Sequence, residues 1–215
     1  MLTLHDYGMD TDFYEKSLLI IGGSTSLKQH EHYKEGDLSG ILAGKIPFWF
    51  SNFSKPGKQI SRLPNWNEKL EAIVENAPKW DIGIISGVPA WIELVIKAII
   101  EKYKVDTIHD IWPSLNVYVH GGVSIEPYKS ELLKLFGKEV FFQETYLASE
   151  GYFAYQKGEN RSGMRLLLNS GVYFEFIPFN EENFDDNGNL RQDANVLPFH
   201  EVKEDVNYAL VVSTC

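Results

Sequence analysis

DIGIISGVPAWIELVIKAIIEKYK, residues 81–104, carries the two periodicities that decide the fold. Its first seven residues form a short apolar run closed by glycine, the pattern of a buried strand running into a tight turn. From Val88 onward the apolar residues recur at helical spacing around most of the circumference. Pro89 suits a first helical turn, where the missing N–H would have had no partner anyway. The spacing therefore predicts a strand followed by a central helix. The same strand-then-glycine pattern appears upstream in SLLIIGG (17–23) and downstream in LNVYVHGG (115–122). After the latter, EPYKSELLKLFG (126–137) reads as a helix stopped by Gly137. In NWNEKLEAIVENA (65–77), Leu70, Ile73, Val74 and Ala77 mark one buried helix face behind Asn65, with Glu68 at the capping-box position.

Beyond residue 137 the pattern changes. EVFFQETY (139–146), GYFAYQ (151–156), MRLLLN (164–169), GVYFEFIP (171–178) and NYALVVST (207–214) are rich in aromatic and β-branched residues and are separated by glycine or polar turns, so they read as strands. The expected fold class is α/β, with mixed sheets packed with helices and a strand-rich C-terminal third. The alternating part, 1–137, and the strand-rich part, 138–215, are read as one domain.

At 215 residues, with 44% apolar and 13% aromatic content, the chain can fill a substantial core. Thirty acidic residues against twenty basic ones give a formal charge of −10, which repels phosphate backbones and anionic lipid, so neither nucleic acid nor a membrane surface is an expected partner. The one cysteine, Cys215, allows no internal disulfide framework, which fits a reducing compartment, and the N-terminus MLTLHDYGMD has no basic start and no apolar core. A cytoplasmic location follows as an expectation. EENFDDNGNLRQD (181–193) is read as a solvated acidic loop with a DNGN turn. Its glycine and its missing closing glutamate set it apart from a calcium loop.

Two glycine-bearing stretches invite chemistry. Ser149-Glu150-Gly151, within QETYLASEGYF (143–153), places a carboxylate beside a hydroxyl and a glycine at a strand end. Magnesium takes one or two carboxylates plus phosphate oxygens, so this is either a nucleotide-metal contact or an ordinary β-turn with a surface Glu. GGSTSLK (22–28) resembles a phosphate-cradling loop in composition only, because it lacks the GxxxxGK[ST] spacing.

Taken in order, GGS (22–24), GDLSGIL (36–42), ISGVPAW (85–91), IWPSLNVYVHGGVSIEPY (111–128), ETYLASEGYF (144–153), GVYFEFIP (171–178) and NYALVVST (207–214) resemble the Gretchen Hagen family of acyl-acid amido synthetases, the auxin-responsive promoter family. The likeness covers nearly the whole chain. It implies part of the large N-terminal domain of an adenylate-forming enzyme. Such an enzyme uses ATP and magnesium to activate a carboxylic acid as acyl-AMP and then passes the acyl group to an amino acid.

By that resemblance Tyr146, Ala148, Ser149, Glu150 and Gly151 are the second ATP motif. Glu150 would help hold magnesium, Tyr146 would lie against adenine, and Ser149 would approach the α-phosphate. His120, Gly121 and Gly122 would border the adenine and the acyl carboxylate, although a strand-end histidine is equally a structural one. Gly87, Val88 and Pro89 would lie against the acyl pocket with Trp91 or Val95 as its lining, although helical spacing is also the mark of core residues.

The family's first ATP motif, a Ser-Ser-Gly-Thr-rich loop, has no match in the sequence, and neither do the Trp-Arg-Tyr segment and Gly-Asp pair that follow a strand like NYALVVST. The expectation is therefore a chain resembling an internal fragment of the family, inactive alone and self-associating through uncovered strand edges. Whether it holds a nucleotide itself stays open. The alternative from another class is a non-catalytic protein, derived from that family, that binds a carboxylic acid or a nucleotide.

Overall fold

The computed structural model describes residues 15–22, 28–35, 47, 50–157 and 163–214. The segment GDLSGIL, and GGSTSLK apart from its first and last residues, lie outside the described residues. The elements run in the order β1 (Ser17–Ile21), β2 (Lys28–Gln29), β3 (Lys34–Glu35), β4 (Ser54–Lys55), α1 (Lys58–Ser61), α2 (Trp66–Asn76), β5 (Ile82–Gly87), α3 (Pro89–Tyr103), β6 (Val117–Gly121), α4 (Glu126–Leu135), β7 (Phe141–Ala148), β8 (Gly151–Gln156), β9 (Met164–Leu166), β10 (Val172–Pro178), β11 (Leu197–Pro198) and β12 (Tyr208–Thr214). The α/β class expected from the sequence is what the chain adopts.

Two compact units divide it, one comprising Met1–Tyr146 with Tyr155–Met164 and the other Leu147–Ala154 with Arg165–Cys215. In the larger sheet the strand order is β4-β1-β5-β6-β7-β8-β9, and β4, β1, β5, β6 and β7 are parallel neighbours. Parallel strands need crossovers, and those from β4 to β5, β5 to β6 and β6 to β7 run through helices; strands covered in this way read as continuous apolar runs rather than alternating ones. SLLII and IGII are such runs.

In the first unit the core lies between these strands and their helices. Ile92, Val95, Ile96 and Ile99 of α3 are fully buried against Leu19, Ile82, Ile85 and Tyr118. The opposite side of α3 is not covered: Trp91 and Leu94 are exposed, so the helix is one-faced rather than buried all round. Val95 belongs to the core. Asn65 caps α2, its Oδ1 accepting the Asn67 N–H at 2.8 Å, and Ile73 and Val74 face inward as the spacing predicts. Trp112 is buried and donates its indole N–H to the Ala77 carbonyl at 2.9 Å, which satisfies its polar handle inside an apolar cluster.

Gly137 differs from the sequence expectation. Helix α4 ends at Leu135, and the glycine lies past its end. A Cβ there would fall 2.5 Å from Thr107 Oγ1, and the Gly137 N–H donates to His109 Nδ1 at 2.9 Å. Its role is close approach between segments rather than a left-handed helix stop.

In the second unit, β10 pairs antiparallel with β12 along its whole length, from Val172↔Thr214 to Pro178↔Tyr208, and β11 pairs on its other edge. Phe153, Phe174 and Phe176 form its buried centre. The acidic loop is more organised than its composition suggests. Asn183, 4% exposed, donates from Nδ2 to the Pro178 carbonyl at 2.9 Å and accepts the Asn195 N–H at 2.8 Å. Asp185 Oδ1 accepts the N–H groups of Asn187 and Asn189 at 2.9 and 2.8 Å. That carboxylate is spent on its own turn.

Candidate functional site

In an open parallel sheet the ligand crevice forms outside the carboxyl ends of the strands, where successive connections leave in opposite directions. The order β4-β1-β5-β6 puts that reversal between β1 and β5. Gly87, the last residue of β5, stands opposite Ile21, the last of β1, and a Cβ on Gly87 would fall 2.6 Å from the Ile21 carbonyl oxygen. Only glycine fits. The chain then turns at Val88, which has no side-chain cap to offer, into Pro89 and α3. Trp91 lies on the exposed side of that first turn, its ring 4.5 Å from that of Trp66.

One strand further on, β6 ends in His120-Gly121-Gly122. Gly121 pairs with Thr145 of β7, and a Cβ on it would fall 2.3 Å from the Thr145 carbonyl oxygen. Gly122 has φ +82°, a conformation that L side chains rarely adopt, and a Cβ there would meet only Val88 Cγ2, at 3.9 Å. The structure thus brings the Gly87-Val88-Pro89 turn and the His120-Gly121-Gly122 turn together at one edge of the sheet. Tyr146, 40% exposed, follows Thr145 on β7 beside them.

His120 itself takes a different place from its glycines. Its ring packs 5.5 Å from Tyr118 and 6.2 Å from Phe142, residues of the helix-covered core, and the residue is 2% exposed. Nδ1 is buried and has no hydrogen-bond partner among the described residues. Burial, and secondarily the charge of Lys129, push its pKa down to about 4, so the imidazole is neutral. The geometry offers the main chain of this segment, rather than its imidazole, to a ligand.

Ser149 and Glu150 form the two-residue turn between β7 and β8, and both are exposed. Ala148 is half-buried. At Gly151 a Cβ would fall 3.2 Å from the ring of Phe153. Among the described residues no group of three or more His, Cys, Asp or Glu could hold a metal alone. A solitary exposed Glu150 suits a magnesium ion held mostly by phosphate oxygens and does not suit a resident metal in a protein cage. Among the described residues, no helix is long and apolar enough to cross a membrane.

Sequence reasoning missed two residues at this edge. Tyr118 donates its hydroxyl to the Gly87 carbonyl at 3.1 Å, and Thr145 donates from Oγ1 to the His120 carbonyl at 2.9 Å.

Residues 12–141 match the GH3 family N-terminal domain, and residues 165–215 match the GH3 family central domain. The chain belongs to the GH3 family. This agrees with the motif order HGGVS, ETYLASEGYF and YFEFIP. No curated protein matches the sequence. Among solved structures, the GH3 chain is similar to GH3.15 acyl acid amido synthetase with a TM-score of 0.70 at 11% identity, over 99% of this chain and 45% of that one. It is also similar to an open conformation of 2-hydroxyisobutyryl-CoA ligase in complex with 2-HIB-AMP and CoA, with a TM-score of 0.50 at 9% identity, over 78% of this chain and 35% of that one. At these identities the likeness speaks for a shared fold. The GH3 chain spans less than half the length of the amido synthetase it matches.

Proposed function

We propose that this GH3 chain works in an ATP-dependent acyl-acid amido synthetase, where it supplies the surface that holds the nucleotide and the acyl carboxylate. The observation that carries the reading is the meeting of two glycine turns at the carboxyl edge of the sheet: Gly87 and Gly121 lie tight against the neighbouring strands, and Gly122 leaves its main chain uncrowded beside Val88. An incoming carboxylate and the α-phosphate are both anions, so the reaction needs them held in line with their charge spread over donors and a cation. The peptide N–H groups of a glycine turn give that without a side chain in the way.

In the reaction the carboxylate oxygen attacks the α-phosphorus, pyrophosphate leaves, and the amine of an amino acid then attacks the acyl carbon and releases AMP. Tyr146 provides a ring face for adenine, Ser149 a hydroxyl towards the α-phosphate, and Glu150 one carboxylate ligand for a phosphate-bound magnesium ion. The Val88, Pro89 and Trp91 turn borders the acyl group. Magnesium supplies charge neutralisation on the phosphates.

The test is a reaction of the polypeptide made from the complete reading frame with ATP, magnesium, a panel of carboxylic acids and the amino acids, followed by mass spectrometry. An N-acyl amino acid and AMP in equal amounts support the reading. ATP consumption with no acylated product from any pair overturns it, and ligand binding without turnover assigns the chain to the non-catalytic binding alternative.

A further inference from the structure

At the carboxyl end of a parallel strand the ladder runs out, and the last carbonyls lose the neighbour that would have donated to them. On β5 the pairing with β6 stops at Ser86↔Val119, one residue short of Gly87. The Gly87 carbonyl is nevertheless satisfied on that side, because Tyr118 of β6, fully buried, brings its hydroxyl to 3.1 Å. One strand on, where the β6–β7 pairing still runs to Gly121↔Thr145, Thr145 of β7, 8% exposed, adds its Oγ1 to that ladder at 2.9 Å from the His120 carbonyl. In both cases the next strand donates a hydroxyl to the carbonyl at the root of the preceding strand's turn.

The choice of carbonyl matters. The Gly87 oxygen belongs to the peptide plane joining Gly87 to Val88, where the chain enters α3, and the His120 oxygen to the plane joining His120 to Gly121. Glycine is required at Gly87 and Gly121 because a Cβ would strike the neighbouring strand's main chain, at 2.6 and 2.3 Å. Glycine also frees the backbone to take many conformations, which would spoil a site built from main-chain donors. A hydroxyl fixed in the core restores one orientation to each of these planes.

We propose that Tyr118 and Thr145 are positioning residues of the ligand site, which act by orienting the Gly87–Val88 and His120–Gly121 peptides without touching the ligand. The inference rests on the reading of this edge as the nucleotide and acyl site.

Thr145→Val removes the hydroxyl at nearly constant shape, Thr145→Ser keeps it, and Tyr118→Phe removes the other. Amide hydrogen exchange of the ligand-free chain reads the peptide planes directly. Thr145→Val is expected to speed exchange at Gly121 and Gly122 about tenfold, the effect of one lost buried hydrogen bond, and Tyr118→Phe to do the same at Val88. Thr145→Ser should restore the original rates, and amides of α3 beyond its first two turns should not change.

Titration with ATP and magnesium adds the second readout: affinity is expected to fall about tenfold in Thr145→Val and Tyr118→Phe and to recover in Thr145→Ser. Unchanged turn exchange, or uniform acceleration across the core, overturns the positioning role. If the unaltered protein takes up no ATP while the turns respond as described, the nucleotide reading fails and the orienting bonds stand.

Discussion

At position 121 an alanine methyl would sit 2.3 Å from the Thr145 carbonyl oxygen, and that atom cannot retreat without opening the β6–β7 pairing. Gly121→Ala is therefore expected to cost about 3 kcal/mol in urea unfolding, an overpacking penalty against backbone. Gly171→Ala, at φ +79° with nothing within 4 Å, should cost only the left-handed conformation, about 1 kcal/mol. Equal losses would show that packing is not what fixes Gly121.

His120 gives a pH signature. Its folded pKa, about 4, lies below the ordinary histidine value, so as pH falls below about 6.5 the unfolded chain takes up the proton and the folded chain refuses it. Stability is retained above that pH and lost on acidification. Between pH 6.5 and 5 the loss from this residue should reach about 2 kcal/mol. His109 adds in the same direction. Its pKa is lowered by burial, and its ring is held between the Leu115 carbonyl and the Gly137 N–H. His120→Leu should flatten the curve of unfolding free energy against pH in this window, and an unaltered slope would contradict the buried neutral imidazole. Glycines at the site were legible in the sequence because strand-then-glycine is a local pattern. Tyr118 and Thr145 were not, since a hydroxyl on a strand reads the same whether it meets water or a carbonyl on the next strand.

Helices and strands were legible where one face met the core. Asn65, Ile73 and Val74 announced α2 and its start, and the cap gives a direct check: Asn65→Ala should lower stability by about 1 kcal/mol, whereas Asn65→Asp should hold it. Gly137 was misread because its partner, Thr107, is distant in sequence, and a glycine behind a helix is usually a terminator. The loop at 181–193 is largely exposed, as its composition implies, and what the sequence hid is a single residue. Its charges face water, but Asn183 is buried and ties Pro178, Asn180 and Asn195 together. Asn183→Ala should cost about 1.5 kcal/mol, because it removes the side-chain bonds to the Pro178 carbonyl, the Asn195 N–H and Asn180 Oδ1. A loss under about 0.5 kcal/mol, as for an ordinary surface change, would mean that the Asn183 bonds do not hold the loop.

For the molecule as a whole, alternation of strand and helix followed by consecutive strands was enough to give the class and the two kinds of sheet. The strand order was not, because β1 pairs with both β4 and β5 through contacts that leave no mark in the local sequence. We also propose that the 215-residue chain self-associates through strand edges such as β12; light scattering at micromolar concentration should then give a mass above 24.6 kDa, and a monodisperse monomer would oppose it.

We propose that the Ser149-Glu150 turn serves acyl adenylation. Its most direct test is acid-dependent ATP–pyrophosphate exchange by the polypeptide of the complete reading frame, compared with its Glu150→Gln variant. Exchange is expected to be stimulated by a subset of carboxylic acids and reduced about 100-fold in the variant, the scale expected for removing a charge-stabilising group from a reacting centre. Exchange that ignores the acid, or that survives Glu150→Gln undiminished, would contradict it.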